Sequence, residues 1–158
     1  MAPRVSIQHA DFDLGAEVRA LHQADRGVGA VASFIGTVRD RSARADVSQM
    51  ELEHYPGMTE RAIEAMIDTA MQRFDIRAAR VVHRVGLLQP GAQIVLVAVA
   101  AAHRGTAFQA CEFLMDYLKT QAPFWKKETT PAGARWVDAR VADDAALARW
   151  GITASNAS

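Results

Sequence analysis

The chain has 158 residues, a formal net charge of zero and a sequence pI near 7.0. This length predicts one domain that needs neither a disulfide nor a metal for stability, and the zero net charge argues against bulk nucleic-acid binding. The lone cysteine, Cys111, excludes an intramolecular disulfide and a cysteine-based zinc cluster. The first residues lack a signal-peptide pattern, and the longest apolar run, residues 94–102, is too short to span a bilayer. We therefore expect a cytoplasmic protein.

The first half of the chain alternates between short strands and amphipathic helices. Its patterns predict a strand over 5–10, a helix over 13–23, a β-rich run from Ala30 to Arg39 and a strand over 50–55. Residues 39–48 are polar and show no periodicity, so we expect a mobile loop there. Thr59 follows a Pro-Gly turn and is the predicted N-cap of a second helix. The predicted buried face of that helix consists of Ile63, Met66, Ile67, Ala70, Met71 and Phe74.

The second half begins with a strand over 77–86 and a turn, followed by residues 93–103, which are apolar on both faces and predict a central, covered strand. Thr106 and Gln109 have the spacing of a capping box, which predicts a helix over 107–121. Two short strands around Pro131 and a last helix over 143–150 follow. We expect an α+β fold, with residues 1–150 forming a single domain of mostly antiparallel sheet and flanking helices, and residues 151–158 forming a flexible tail.

Lysine is confined to one part of the sequence. Of the eighteen Lys and Arg residues only three are lysines, and these are Lys119, Lys126 and Lys127. A lysine can be shifted toward neutrality and can handle a proton, whereas an arginine stays charged, so the clustering indicates a site that needs an amine. Chance is the alternative: Asp116 and Lys119 have the spacing of a surface ion pair, and the other two lysines fit the solvated face of an edge strand.

His103 and Arg104 stand where the apolar strand gives way to a helix. The unpaired N–H groups and positive dipole of a helix N-terminus favour an anion, and an arginine there suits bidentate phosphate binding. Arg39, at the end of a predicted strand, is a weaker candidate of the same kind. A surface ion pair is the alternative for Arg104. Fifteen residues of helix would separate Arg104 from Lys119 by about 22 Å, so they serve different ligands or belong to sites shared between two subunits of a dimer.

The remaining motifs are negative. Cys111 lies mid-helix among apolar residues and is predicted to be a core thiol rather than a nucleophile. The histidines lack metal-ligand spacing, and neither a Walker, a Rossmann nor a GxSxG pattern occurs. We therefore expect no metal and no cofactor, and any acyl or sulfur chemistry must take its nucleophile from elsewhere.

Several segments resemble one known family. LEHYPGMTE (52–60), HRVG (83–86), AAHRGTAF (101–108), FLMDYLKTQAPFWKKE (113–128) and RWV (135–137) are similar to the large, catalytic subunit of molybdopterin synthase, the MoaE family, and the likeness runs from about residue 28 to residue 150. The resemblance implies an α/β-hammerhead-like fold and a homodimer that binds two small ubiquitin-like subunits, a heterotetramer in total. Each small subunit carries a C-terminal Gly-Gly thiocarboxylate. The implied reaction moves two sulfurs from such thiocarboxylates, one from each, to cyclic pyranopterin monophosphate, which forms the dithiolene of molybdopterin.

The resemblance also implies the site residues. The matching substrate-contacting positions are Thr37, Val38, Arg39, His103, Arg104, Lys119, Lys126, Lys127 and Glu128. Lys119 and Lys126 are the implied catalytic residues, the first beside the thiocarboxylate and the second at the pterin end, while Arg39, His103 and Arg104 are implied to hold the phosphate. A non-catalytic dimeric module that binds a phosphorylated ligand and regulates a partner is the alternative. An RNA-binding protein fits poorly with zero net charge.

Overall fold

The computed structural model describes residues 3–42, 45–137 and 141–152. The elements in these ranges, in chain order, are β1 (Val5–Gln8), α1 (Leu14–His22), β2 (Ala30–Thr37), β3 (Arg41–Ser42), β4 (Ala45–Asp46), β5 (Gln49–His54), α2 (Met58–Arg73), β6 (Ile76–Arg84), β7 (Gly86–Leu88), β8 (Gln93–Ala101), α3 (Arg104–Gln121), β9 (Phe124–Thr130), β10 (Gly133–Val137) and α4 (Val141–Ala148). None of the helices in the described ranges is long and apolar enough to cross a membrane.

The strands form two four-stranded sheets and a small hairpin. The first sheet has the order β1-β6-β8-β2, the second has the order β10-β9-β5-β7, and β3 pairs with β4. β1 and β6 are parallel, and the other strand pairs in the described ranges are antiparallel. The expected α+β fold with a mostly antiparallel sheet is confirmed.

β8 is the central strand that its sequence predicts. It pairs with β6 on one side and β2 on the other, and seven successive residues from Val95 to Ala101 are buried. One face of the strand packs with Phe12 and the apolar side of α1, and the other packs against α2 and α3, where Phe113 is fully buried. A strand covered on both faces has no polar side to present, which explains why its sequence does not alternate.

Both predicted helix caps are wrong. α3 begins at Arg104, because the Ala107 N–H already bonds the His103 carbonyl at 3.2 Å, and its N-cap, His103, makes no side-chain capping hydrogen bond. The capping box predicted at Thr106 therefore lies inside the first turn. α2 begins at Met58, after an N-cap at Gly57 whose φ of +83° suits glycine. Thr59 is fully buried, and its hydroxyl donates to the Pro123 carbonyl at 2.9 Å.

Three local expectations also differ from the structure. The segment 39–48 contains the hairpin β3–β4, where Arg41 pairs with Asp46, although residues 43 and 44 lie outside the described ranges. β2 ends at Thr37 rather than at Arg39, because a bulge between Gly36 and Thr37 interrupts the ladder to β8. Met71 is exposed, since only one stripe of α2 faces the sheet.

The C-terminal part of the described chain packs against α3. The Trp150 ring makes edge contacts with Phe74 and Phe113, and its Nε1–H donates to Asp116 Oδ2 at 2.8 Å. Ile152 is partly buried against the same core. Residues 153–158 of the predicted tail lie outside the described residues, so the domain boundary at 150 stays a prediction.

Candidate functional site

A cavity of about 310 Å³ lies where the two sheets meet the C-terminal end of α3. Its apolar walls come from both sheets and from α3, and consist of Met50, Leu52, Ile94, Val95, Met115, Leu118, Ala122, Phe124 and Val137. The polar side chains that line it are Thr37, Arg39, His83, Lys119 and Lys126. Four of these five are residues predicted from the sequence. The size and lining suit a flat organic molecule with an anionic group.

The charge of the cavity is one-sided. Arg39, Lys119 and Lys126 contribute three cations, and none of the described residues that line the cavity is acidic. Arg39 and Lys119 make no ion pair with any carboxylate in the described part of the chain. In a chain with zero net charge, this segregation produces a local positive potential that attracts and holds anions.

The bulge at the end of β2 directs the first group of site residues. Thr37 and Arg39 line the cavity, while Val38 between them is buried in the core with Met50 and Leu52. The Val38 N–H donates to the Ala92 carbonyl at 2.9 Å, and the Val38 carbonyl accepts from the Gly91 N–H at 2.8 Å. Val38 thus anchors the strand end through its backbone and its apolar side chain, and its neighbours Thr37 and Arg39 line the cavity.

Lys119 comes from the last turn of α3, where a cation also interacts favourably with the helix dipole. The predicted alternative, an ion pair between Asp116 and Lys119, is absent. Asp116 instead accepts from Trp150 Nε1 and lies 3.5 Å from Arg149 Nη2. The lysine is therefore available to the cavity rather than neutralised on the helix surface.

The alternation of β9 separates the other two lysines. Lys126 lies opposite Leu52 and Val137 and lines the cavity. Lys127 faces the opposite side of the sheet, where its ammonium lies 5.7 Å from the centroid of the Trp136 ring. The structure does not bring Lys127 into this cavity.

Glu128 shares the strand face of Lys126 but lies deeper. Its side chain is 2% exposed, and it stands opposite Met50 on β5. Its Oε1 has no hydrogen-bond partner among the described residues. A buried carboxylate oxygen without a partner is costly, which indicates a role other than stabilising the fold.

The lining residue that the sequence reasoning missed is His83. This residue is 8% exposed, and its ring stacks on Phe124 with a centroid separation of 3.8 Å. Burial, and to a smaller extent the nearby Lys119 ammonium, lower the pKa of His83 to about 4, so the imidazole is neutral near pH 7. A histidine in an otherwise apolar strand, within the family-like HRVG segment, is the signal that could have identified it.

His103 and Arg104 lie at the far end of α3. The helix runs without interruption over 18 residues, so Arg104 and Lys119 are about 22 Å apart in one chain. Both His103 and Arg104 are exposed, and Phe108, one turn further along, is 65% exposed. These residues do not join the cavity of their own chain, which agrees with the distance expected from the sequence.

Cys111 has the properties predicted for a core thiol. It is buried, its Sγ lies 3.7 Å from the Val97 carbonyl oxygen, and burial raises its pKa to about 11. A thiol held in this protonated state is a poor nucleophile. Cys111 therefore does not supply a sulfur nucleophile to the cavity.

Fold and cavity together define a class: an α+β protein with a cavity that is lined by lysines and an arginine and is suited to a small organic anion. A sequence model of the family described as MoaE protein matches residues 7–121. The molybdopterin synthase catalytic subunit of Ralstonia nicotianae is 65% identical over 156 residues, which cover 99% of this chain and 89% of that protein. The protein of the same name from Pseudomonas aeruginosa is 51% identical over 146 residues, covering 92% of this chain and 97% of that protein.

Solved structures agree with the sequence matches. The molybdopterin biosynthesis MoaE protein from Burkholderia ambifaria has a TM-score of 0.83 and 59% identity, covering 96% of this chain and 99% of that one. The molybdopterin synthase from Staphylococcus aureus has a TM-score of 0.81 at 27% identity, covering 87% of this chain and 99% of that one. The chain belongs to the MoaE family.

Proposed function

We propose that this chain is the catalytic subunit of a molybdopterin synthase, a sulfurtransferase of molybdenum cofactor biosynthesis. It transfers two sulfurs to cyclic pyranopterin monophosphate, one from each of two small ubiquitin-like subunits that carry a C-terminal thiocarboxylate, and water releases each donor tail as a carboxylate. The observation that carries this proposal is the cavity in which three cations and apolar walls meet without an acidic side chain. The names of the close relatives support the same reading.

The cavity offers separate surfaces for the two parts of the substrate. The apolar residues, Phe124 and Met115 among them, suit the flat pterin ring, and Thr37 supplies a hydroxyl at the rim. Arg39 offers the planar donor pair that binds phosphate in a bidentate manner. Each charge-assisted contact of this kind contributes roughly 1.5–3 kcal/mol to binding.

The two lysines of the cavity are the proposed catalytic residues. Negative charge develops on the substrate as the thiocarboxylate sulfur attacks, and an ammonium in a cavity with apolar walls stabilises that charge more strongly than water does. We assign this role to Lys119, beside the incoming tail of the small subunit, with proton transfer as its second task. Lys126 acts at the pterin end. Glu128 is buried two residues further along the same face of β9, and we assign it a supporting role for Lys126.

His103 and Arg104 complete the site from a second copy of the chain. Antiparallel packing of two α3 helices brings Arg104 of one subunit toward Lys119 of the other, and so forms two composite cavities in each homodimer. The exposed Phe108 ring, one turn from Arg104, supports a subunit contact at this end of the helix. With one small subunit bound at each cavity, the complete assembly is a heterotetramer.

We further propose the remaining assignments. Residues 1–150 form one domain with a short tail over 151–158, an assignment that the packing of Trp150 against Phe74 and Phe113 supports. The cytoplasm is the proposed compartment, since a chain with a single, buried cysteine is suited to a reducing environment.

Reconstitution tests the catalytic proposal. The purified chain is mixed with a thiocarboxylated ubiquitin-like subunit and cyclic pyranopterin monophosphate, and the dithiolene product is measured. We expect Lys119→Ala to abolish product formation while retaining the wild-type melting temperature. Arg19→Ala, which removes an exposed cation on α1 at the opposite face of the first sheet, is the matched control and retains activity. An active Lys119→Ala variant would favour the regulatory alternative instead.

Mixed dimers test the shared cavity. In a heterodimer of one Arg104→Glu chain and one Lys119→Ala chain, one cavity receives both intact residues and the other receives both substitutions. We expect each homodimeric variant to be inactive and the heterodimer to recover about half of the wild-type activity. Heterodimers as inactive as the parent variants would contradict the shared cavity.

A further inference from the structure

The burial pattern of β6 predicts an apolar residue at position 83, but the chain has a histidine there. It lies on β6 opposite Val95 of β8, on the sheet face that α3 covers, and its neighbour on the same face, Val81, belongs to the main core. With the residue 8% exposed, a polar side chain here requires a reason. The site assignments above give it none.

The surroundings of His83 define which ring nitrogen carries the proton. Nδ1 lies 2.8 Å from the Arg84 carbonyl oxygen, which can only accept, so Nδ1–H donates and Nε2 keeps its lone pair. No other hydrogen bond of this ring is formed within the described ranges. Because the ring lines the cavity, Nε2 is the polar atom that His83 offers to it.

Stacking and a series of hydrogen bonds also hold the ring in place. Phe124 stacks on it with an interplanar angle of 18°, and Phe124 follows Pro123, whose carbonyl accepts a hydrogen bond of 2.9 Å from the Thr59 hydroxyl. Thr59 in turn accepts from the Tyr55 N–H at 3.0 Å. This series of contacts connects the start of α2 to the cavity wall and fixes the plane of the imidazole.

We propose that His83 is a positioning residue for Lys119: when the dimer assembles, the Nε2 lone pair, which accepts no hydrogen bond from the described residues of the single chain, accepts an N–H of the exposed Lys119 ammonium and holds it inside the cavity that both residues line. Lys119 is close enough to act electrostatically on the imidazole, and the buried ring stays uncharged, so the two groups attract rather than repel. A flexible lysine side chain otherwise loses much of its rotamer freedom when it is placed for catalysis. The inference rests on the proposed role of Lys119.

Two substitutions distinguish the donor role of Nδ1 from the acceptor role of Nε2. His83→Asn keeps a donor near the position of Nδ1 and removes the acceptor at Nε2, whereas His83→Gln places an amide oxygen near Nε2. In the reconstituted assay we expect the kcat of His83→Asn to be at least about ten-fold below that of His83→Gln, with similar KM values, as is typical of a lost hydrogen bond to a charged group. His83→Gln should remain within about three-fold of wild type. Equal kcat values at equal melting temperatures would overturn the proposal.

A spectroscopic measurement on wild-type protein does not depend on the folding of these variants. The ¹⁵N resonances of His83 in the labelled dimer should show a protonated Nδ1 and an unprotonated, hydrogen-bonded Nε2 at pH 7. In Lys119→Met the Nε2 resonance should move toward that of a free imine nitrogen. A proton on Nε2, or no response to Lys119→Met, would refute the contact. If wild type makes no product, the proposed function fails, and the resonances still test the contact itself.

Discussion

The buried His83 should make the stability of the protein depend on pH in a defined window. Its pKa is lowered to about 4 in the folded chain, against an ordinary value of 6.5 that the unfolded chain will show. Well above pH 6.5 the imidazole is neutral in both states, so it contributes no pH dependence there. Between pH 6.5 and about 4 the unfolded chain binds a proton that the folded chain does not, and the free energy of unfolding falls as the pH falls.

The size of this effect follows from the two pKa values. One pKa unit corresponds to about 1.4 kcal/mol, so a displacement from 6.5 to about 4 limits the loss to about 3 kcal/mol. Most of it develops by pH 5, where the expected loss relative to pH 7 is about 2 kcal/mol. For a domain of this length, that corresponds to a fall of about 4–8 °C in melting temperature.

The assay compares wild type with His83→Gln in urea unfolding curves at several values between pH 4 and pH 7.5. Carboxylates such as Asp11 and Asp25, whose pKa values are lowered by hydrogen bonds from Gln93 and Arg77, titrate in both proteins and cancel in the difference. The wild-type curve should fall by about 2 kcal/mol more than that of the variant between pH 7 and pH 5. Parallel curves would show that His83 is protonated equally in both states, and would refute the reasoning.

Three further predictions concern single side chains. Lys126→Ala should reduce dithiolene formation at least about a hundred-fold and Lys127→Ala less than about three-fold, because only the first lysine lines the cavity; equal losses in kcat would contradict the alternation of β9. Thr59→Val should lower the free energy of unfolding by about 1–3 kcal/mol in urea, since it leaves the Pro123 carbonyl without its partner, and Thr59→Ser should restore part of it. Cys111 should react with iodoacetamide at least about a hundred-fold more slowly in the folded protein than in urea at pH 8, because its pKa is raised to about 11; rapid labelling of the native state would show an accessible thiol.

Much of the cavity could be predicted from the sequence because its cations are unusual within the chain. Restriction of lysine to residues 119–127 and the family-like PFWKKE segment both pointed to the end of α3, where Lys119 and Lys126 line the cavity. The continuous apolar pattern of β8 predicted a covered central strand, since both of its faces must be buried. A continuous apolar run of this strength keeps its meaning in the folded protein, because only a covered strand can bury both of its faces.

The parts that were missed depend on contacts between distant residues. His83 reads as one more residue of a strand until Phe124 and Lys119 are placed beside it, and both are far away in the sequence. Threonine is a residue type that is favoured at helix caps, but the Thr59 hydroxyl donates to the Pro123 carbonyl, 64 residues along the chain. The lysine cluster and the family resemblance place Lys127 in the site together with Lys126, although a strand directs neighbouring side chains to opposite faces.

Because α3 is a single continuous helix, its length fixes the distance between its two ends. The two ends of this one rod, Arg104 and Lys119, serve different cavities in the proposed dimer, so the number of residues between them sets the spacing of both cavities at once. Adding a single residue in the middle would turn one end by about 100° relative to the other. In that dimer, an insertion or deletion between Arg104 and Lys119 would therefore disturb both cavities together.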